Sequence, residues 1–104
     1  MAFPEVTHLQ FKVLASLATG ELSGRDLRKA IAEEGLSQTR ASFYQLMSRL
    51  EDAGFVEGRY EQTTIDEMTV TERCYQLAAA GRKVLDDALI FYSQALHSKI
   101  AFGN

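Results

Sequence analysis

A chain of 104 residues, 46% hydrophobic and 24% charged, is ordinary for a globular domain and too apolar for disorder. Cys74 alone cannot form an internal disulfide or a cysteine zinc site. No apolar run approaches the roughly 20 residues that span a bilayer, and MAFPEVTHLQ lacks the order of a secretion signal, so a cytoplasmic location is expected. The net charge of −3 is unevenly spread: residues 23–50 carry five basic groups against three acidic ones, and residues 51–72 carry one against seven.

Val6, Leu9, Val13 and Leu17 recur at helical steps with Leu14 beside them, which predicts a helix over residues 5–18, ended by Thr19-Gly20. Pro4 lies ahead of it, where proline can start a helix. Ser23 is placed to cap a second helix over residues 24–34. Asp26 takes the capping-box position, and Leu22 with Leu27 forms a hydrophobic staple. Gly35 is a left-handed stop from which Leu36 can fold back on Ile31. Ser37 and Thr39 are both suitable caps for a third helix. Its apolar face is Phe43, Leu46, Met47, Leu50 and Ala53, and Gly54 ends it. Two helices joined by a tight turn, with a third behind them, make a helix-turn-helix.

The pattern then changes period. Residues 55–62 and 69–77 are aromatic and β-branched with polar residues interleaved, predicting two strands, and residues 63–68 form the polar tip between them. A hairpin in this position is a wing. From about Ala79 to Ile100 an apolar stripe of Val84, Leu85, Ala88, Leu89, Tyr92, Ala95, Leu96 and Ile100 marks a long helix, with Gly81 a mild cost in its first turn. The preceding residues cannot cover so long a helix, so a second copy of the chain is expected to cover its distal half, including Ile90, Phe91 and Phe102. The predicted fold is mainly α (α+β). A winged helix-turn-helix with a two-stranded β-wing spans residues 1–77, and a C-terminal dimerisation helix spans residues 78–104.

This order, with Phe43-Tyr44, the segment Leu50-Glu-Asp-Ala-Gly-Phe-Val-Glu57 and the segment Tyr75-Gln-Leu-Ala-Ala-Ala-Gly81, resembles the PadR family of winged-helix transcriptional regulators over nearly the whole chain. The likeness is to a short member with one C-terminal helix. Ala78 stands where the family usually has threonine. The wing is acidic, with Glu61, Asp66, Glu67 and Glu72 against Arg59 and Arg73. The resemblance implies a homodimer on a pseudo-palindromic double-stranded DNA operator, usually as a repressor. Some relatives release DNA when a small aromatic or hydrophobic effector binds.

The polar side of the third helix carries Gln38, Ala41, Ser42, Gln45, Ser48, Arg49 and Asp52. Gln38, Ser42, Gln45 and Arg49 are the candidate base contacts, because Arg suits guanine, Gln adenine and Ser either. Thr39 and Arg40 at the helix start lie nearer the phosphates. The alternative is an ordinary solvated face. Arg25, Arg28 and Lys29 line one side of the second helix as candidate phosphate anchors. The alternative there is plain solvation, with Lys29 paired to Glu33. Tyr44 and Tyr75 are expected to pack where the third helix meets the wing, with Tyr44 in reach of a phosphate. Arg59 and Arg73 on opposite strands either reach the DNA backbone or pair with the surrounding carboxylates. Phe11, Leu85, Leu89, Tyr92, Leu96 and Ile100 are the candidate dimer interface. Phe11, Phe91 and Tyr92 are candidate walls for an effector pocket.

His8 and His97 lie in different helices without a third ligand, and Cys74 is expected to be half-buried. No glycine-rich phosphate loop, carboxylate pair or activated nucleophile is discernible, so no enzymatic activity, metal or cofactor is expected. The competing reading is a winged-helix protein–protein interaction module that does not bind DNA. The acidic stretch over residues 51–72, which phosphate would repel, motivates it.

Overall fold

The computed structural model of the chain describes residues 6–101, and side chains up to Leu96. Four helices, α1 (His8–Ser16), α2 (Gly24–Glu33), α3 (Arg40–Asp52) and α4 (Ala79–Ala101), combine with three strands, β1 (Leu22–Ser23), β2 (Val56–Ile65) and β3 (Met68–Leu77). Pro4, Phe102 and the side chains of His97 and Ile100 lie outside the described residues.

Each short helix starts on a side-chain cap. Thr7 and Gln10 form a reciprocal capping box, so α1 starts later than its apolar spacing predicts, and it ends earlier, at a C-cap on Leu17. Ser23 accepts the Asp26 N–H at 3.1 Å, as expected. Thr39 caps α3 by accepting the Ser42 N–H at 3.1 Å, which settles the choice against Ser37 and leaves Gln38 ahead of the helix. At the end of α2, Gly35 is left-handed and the Leu36 N–H donates to the Ile31 carbonyl at 3.0 Å. Ala53, expected on the apolar face of α3, is exposed at its C-cap.

The wing differs from expectation in two respects. It belongs to a three-stranded antiparallel sheet in the order β1-β3-β2, because Leu22 and Ser23 pair with Tyr75 and Cys74. The two strands of the hairpin also run further. Thr63 pairs with Val70, Thr64 with Thr69 and Ile65 with Met68, so the tip shrinks to Asp66-Glu67. Both tip residues have positive φ, 51° and 67°, the conformation of a two-residue type I′ turn that glycine adopts without strain. Glu67→Gly is therefore expected to stabilise the fold by about 0.5–1 kcal/mol, read as a higher midpoint in denaturant with an unchanged slope.

One core joins all these elements. Val13 and Leu14 of α1 and Leu17 at its C-cap meet Leu27 and Ile31 of α2, Phe43, Met47 and Leu50 of α3, and Tyr75 of β3. The first half of α4 closes the core with Val84, Leu85 and Ala88. Leu85, expected at a dimer interface, is 1% exposed and so is used up inside its own chain. Gly81 is more than a mild cost. It is buried against the Phe55 carbonyl, and a Cβ there would lie 1.8 Å from that oxygen. The same carbonyl accepts the Ala78 N–H at 3.1 Å, so this oxygen cannot move away freely. Gly81→Ala is expected to cost about 2–3 kcal/mol, lowering the thermal midpoint by roughly 10–20 °C.

Candidate nucleic-acid interface

Helix α3 presents three sides. Phe43, Leu46, Met47 and Leu50 enter the core, and Ala41, Ser42, Gln45, Arg49 and Asp52 are exposed. The third side, Arg40, Tyr44, Ser48 and Glu51, looks across to the wing. Among the described residues no hydrogen bond or ion pair engages the side chains of Gln45 and Arg49. Gln38, which sits before the helix, turns its amide back onto the Ser37 carbonyl at 3.1 Å.

Beside this exposed face runs a groove of about 650 Å³ between α2, α3 and the wing. Arg25 and Arg28 line it from α2, Arg40, Tyr44 and Ser48 from α3, and Tyr60, Thr71 and Arg73 from the wing. The Arg40 guanidinium lies over the Tyr44 ring at 5.8 Å. Tyr44 packs edge-on against Phe43, and its hydroxyl reaches over Gly24, where a Cβ would approach it to 2.7 Å. Arg28 reaches the Gln38 carbonyl at 3.4 Å, while its Nε is buried with no partner. Lys29 is exposed on α2.

Carboxylates hold three other arginines. Arg25 pairs with Glu72 at 3.2 Å. Arg59 forms a two-pronged contact with Glu21, at 2.8 Å through Nε, and also reaches Glu61 at 3.5 Å. Its hydrogen bond holds the Glu21 carboxyl below the usual carboxylate range. Arg73 pairs with Glu51 at 2.6 Å, half-buried. So Glu21, Glu51, Glu61 and Glu72 are internally matched. Asp66 and Glu67 at the tip, with Asp52 at the end of α3 and Glu57 on β2, are the exposed carboxylates of this stretch that no arginine holds.

Cys74 is buried more deeply than expected. Its thiol donates to Glu61 at 3.4 Å, and burial followed by that carboxylate pushes its pKa up, which suits an inert residue. Tyr75 is fully buried, its hydroxyl pushed up to about 12 mainly by burial. Glu51 and Tyr60 are two groove residues that sequence reasoning passed over. Their roles depend on strand register and on a partner 22 residues away in the chain.

Beyond the core, α4 carries Leu89 at 48%, Ile90 at 56% and Leu96 at 61% exposure. Phe11 and Tyr92 meet at 5.0 Å and Tyr92 meets Phe91 at 5.4 Å, so these rings fill one another's space. No helix among the described residues is long and apolar enough to cross a membrane.

A profile of the Transcriptional regulator PadR-like family matches residues 13–87. The chain is 33% identical over 85 residues to the negative transcriptional regulator PadR of Bacillus subtilis (strain 168), covering 79% of this chain and 45% of that protein. It thus spans about half the length of that relative. The crystal structure of Bacillus subtilis PadR in complex with operator DNA matches with a TM-score of 0.67 at 32% identity, over 81% of this chain and 48% of that one. A PadR family transcription regulator from Clostridium difficile R20291 matches with a TM-score of 0.78 over 94% of this chain and all of its own, its 13% identity showing the fold alone. With the winged-helix fold and the family match agreeing over most of its length, the chain belongs to the PadR-like family of transcriptional regulators.

Proposed function

We propose that the chain is a sequence-specific repressor that binds a pseudo-palindromic double-stranded DNA operator as a homodimer. The observation that carries this reading is the exposed, unpaired polar face of α3 beside a groove lined with arginines. With α3 in the major groove, Ser42, Gln45 and Arg49 face base edges. The adjoining sugar-phosphate strand lies along Arg25, Arg28 and Arg40, with Thr39 and Tyr44 beside it, and Lys29 and Arg59 flank the path. The DNA complex of the Bacillus subtilis relative supports the reading. The acidic stretch that favoured a protein-binding module argues less strongly, because Glu51, Glu61 and Glu72 already pair with arginines of the same chain.

Leu89, Ile90 and Leu96 make up the described part of an apolar stripe that a second chain would cover, with Tyr92 at its edge. A two-fold dimer presents two α3 helices, which calls for half-sites about one helical turn apart. Release by a small hydrophobic compound at the junction of α1 and α4 would require it to part the Phe11 and Tyr92 rings, which fill that space here. The test is selection of bound fragments from sheared source DNA at about 150 mM salt, where phosphate attraction alone is weak. Enrichment of a two-fold-symmetric sequence is expected. A folded dimer that enriches nothing over bulk DNA would transfer the reading to a protein-binding module.

A further inference from the structure

Arg73 looks like one more phosphate ligand on the wing, yet its surroundings are those of a built joint. Its guanidinium is tied to Glu51 of α3 at 2.6 Å and lies over the Tyr60 ring at 4.8 Å. The Tyr75 ring, fully buried beneath, stands 5.8 Å away. The bridge crosses the backbone of β2 at Gly58. A Cβ there would lie 2.0 Å from the Glu51 carboxylate and 2.7 Å from the Arg73 guanidinium. A side chain at position 58 would push both partners off their present positions, so glycine lets the pair cross here. Tyr60 itself is 70% exposed on the groove wall facing Arg40 and Tyr44. A large ring held by a cation beneath it and open on its outer face is placed for contact with a partner.

We infer that the Glu51–Arg73 bridge is a strut that fixes the wing to α3, that Arg73 is a positioning residue, and that Tyr60 makes the wing's own contact with the DNA backbone. The inference rests on the DNA-binding reading above and adds a residue to it. A neutralised arginine offers a phosphate little, whereas an aromatic side chain can stack on a deoxyribose and donate its hydroxyl to a phosphate oxygen. The strut also explains why Arg73, deep at the joint, is paired more tightly than Arg25 at the groove mouth.

The two roles for Arg73 separate by salt. A direct phosphate contact contributes about 0.9 to the log–log salt slope, and a positioning residue contributes nothing to it. Affinity of the full chain for its selected duplex is measured across salt for wild type, Arg73→Gln, Tyr60→Ala and the exchanged pair Glu51→Arg/Arg73→Glu. Arg73→Gln and Tyr60→Ala are each expected to weaken binding roughly tenfold with the slope unchanged. The exchanged pair should recover the part of the loss that the bridge carries, but not the part carried by the Arg73 cation against the Tyr60 ring. Gly58→Ala, which alters no charge, should weaken binding in the same way.

A slope reduced by about 0.9 in Arg73→Gln, with no recovery in the exchanged pair, would make Arg73 a phosphate ligand and overturn the strut. Wild-type affinity in Tyr60→Ala would remove Tyr60 as the wing contact. If wild type itself prefers no duplex, the DNA-binding reading falls and the inference falls with it.

Discussion

Replacing Gln45 and Arg49 together with alanine is expected to lower affinity for the operator by roughly 10²–10⁴-fold while leaving the fold and the weak affinity for bulk DNA nearly unchanged. The magnitude follows from direct readout, in which each well-placed bidentate contact discriminates by about 1–3 kcal/mol. The selectivity of the effect follows from position. Both side chains are exposed on α3, and neither takes part in a hydrogen bond or ion pair among the described residues. Alanine is also the better helix former, so stability should hold or rise slightly. Bulk binding depends on the arginines of α2 and of the α3 start, which the double variant keeps. Equilibrium titrations against operator and unrelated duplex, with a thermal melt beside them, check all three parts. Equal loss on both duplexes would mean that these residues contact phosphate and read nothing.

A chain ending after Leu89 is expected to remain folded, to sediment as a monomer and to lose its preference for a symmetric duplex over a half-site. Val84, Leu85 and Ala88, which seal the core, lie before the cut, as do the Arg82 guanidinium contact to the Ala18 carbonyl at 3.0 Å and the joint at Gly81. The cut removes Ile90 and Leu96, the large exposed apolar side chains described beyond Leu89, and the Tyr92 contact with Phe11. Loss of that ring contact costs about 1 kcal/mol, too little to unfold the domain. A dimer binds two half-sites through one complex, so its affinity gains from the effective concentration of the second head, typically 10²–10⁴-fold. The monomer forfeits that factor. A truncated chain that still sediments as a dimer would move the interface away from α4.

What could be read in the sequence was whatever depends on near neighbours. The helix cap at Ser23, the Gly35 stop and the apolar spacing of α3 from Phe43 to Leu50 all act within a turn or two of the chain, and they separate the buried side of α3 from its exposed one. The choice of Thr39 over Ser37 as cap, with Gln38 left ahead of the helix, came from the fold. Where sequence signals failed, distant partners decided the outcome. Leu22 and Ser23 are a strand because β3 lies beside them, and two residues carry no periodicity of their own. The wing tip was drawn too long because Thr63–Ile65 looks polar, whereas pairing with Met68–Val70 fixes its register. Gly81 looked tolerable as a helix residue until Phe55, 26 positions earlier, proved to pack on it.

The groove shows the same division. Its arginines were visible as a basic segment over residues 23–50, but their states were not. Arg59 is bound by Glu21, 38 residues away, and Arg73 by Glu51, 22 residues away, so wing and helix-turn-helix neutralise one another across the fold. Leu85 belonged to a stripe that runs without a break along α4. Only the packed core shows that the stripe divides, with Val84, Leu85 and Ala88 turned inward, Tyr92 packed at the edge, and Leu89 and Leu96 left open.

The placement of α3 in the major groove of each half-site is tested most directly by a DNA-cleaving iron chelate attached at position 45. The label goes on the Gln45→Cys chain, with Cys74→Ser removing the second thiol, and is bound to the selected duplex. Cleavage is expected at two loci, symmetric about the centre and roughly one helical turn apart, because each α3 of a two-fold dimer approaches one half-site. A stable complex cut at neither locus, or cut evenly along the duplex, would contradict a reading helix in this position.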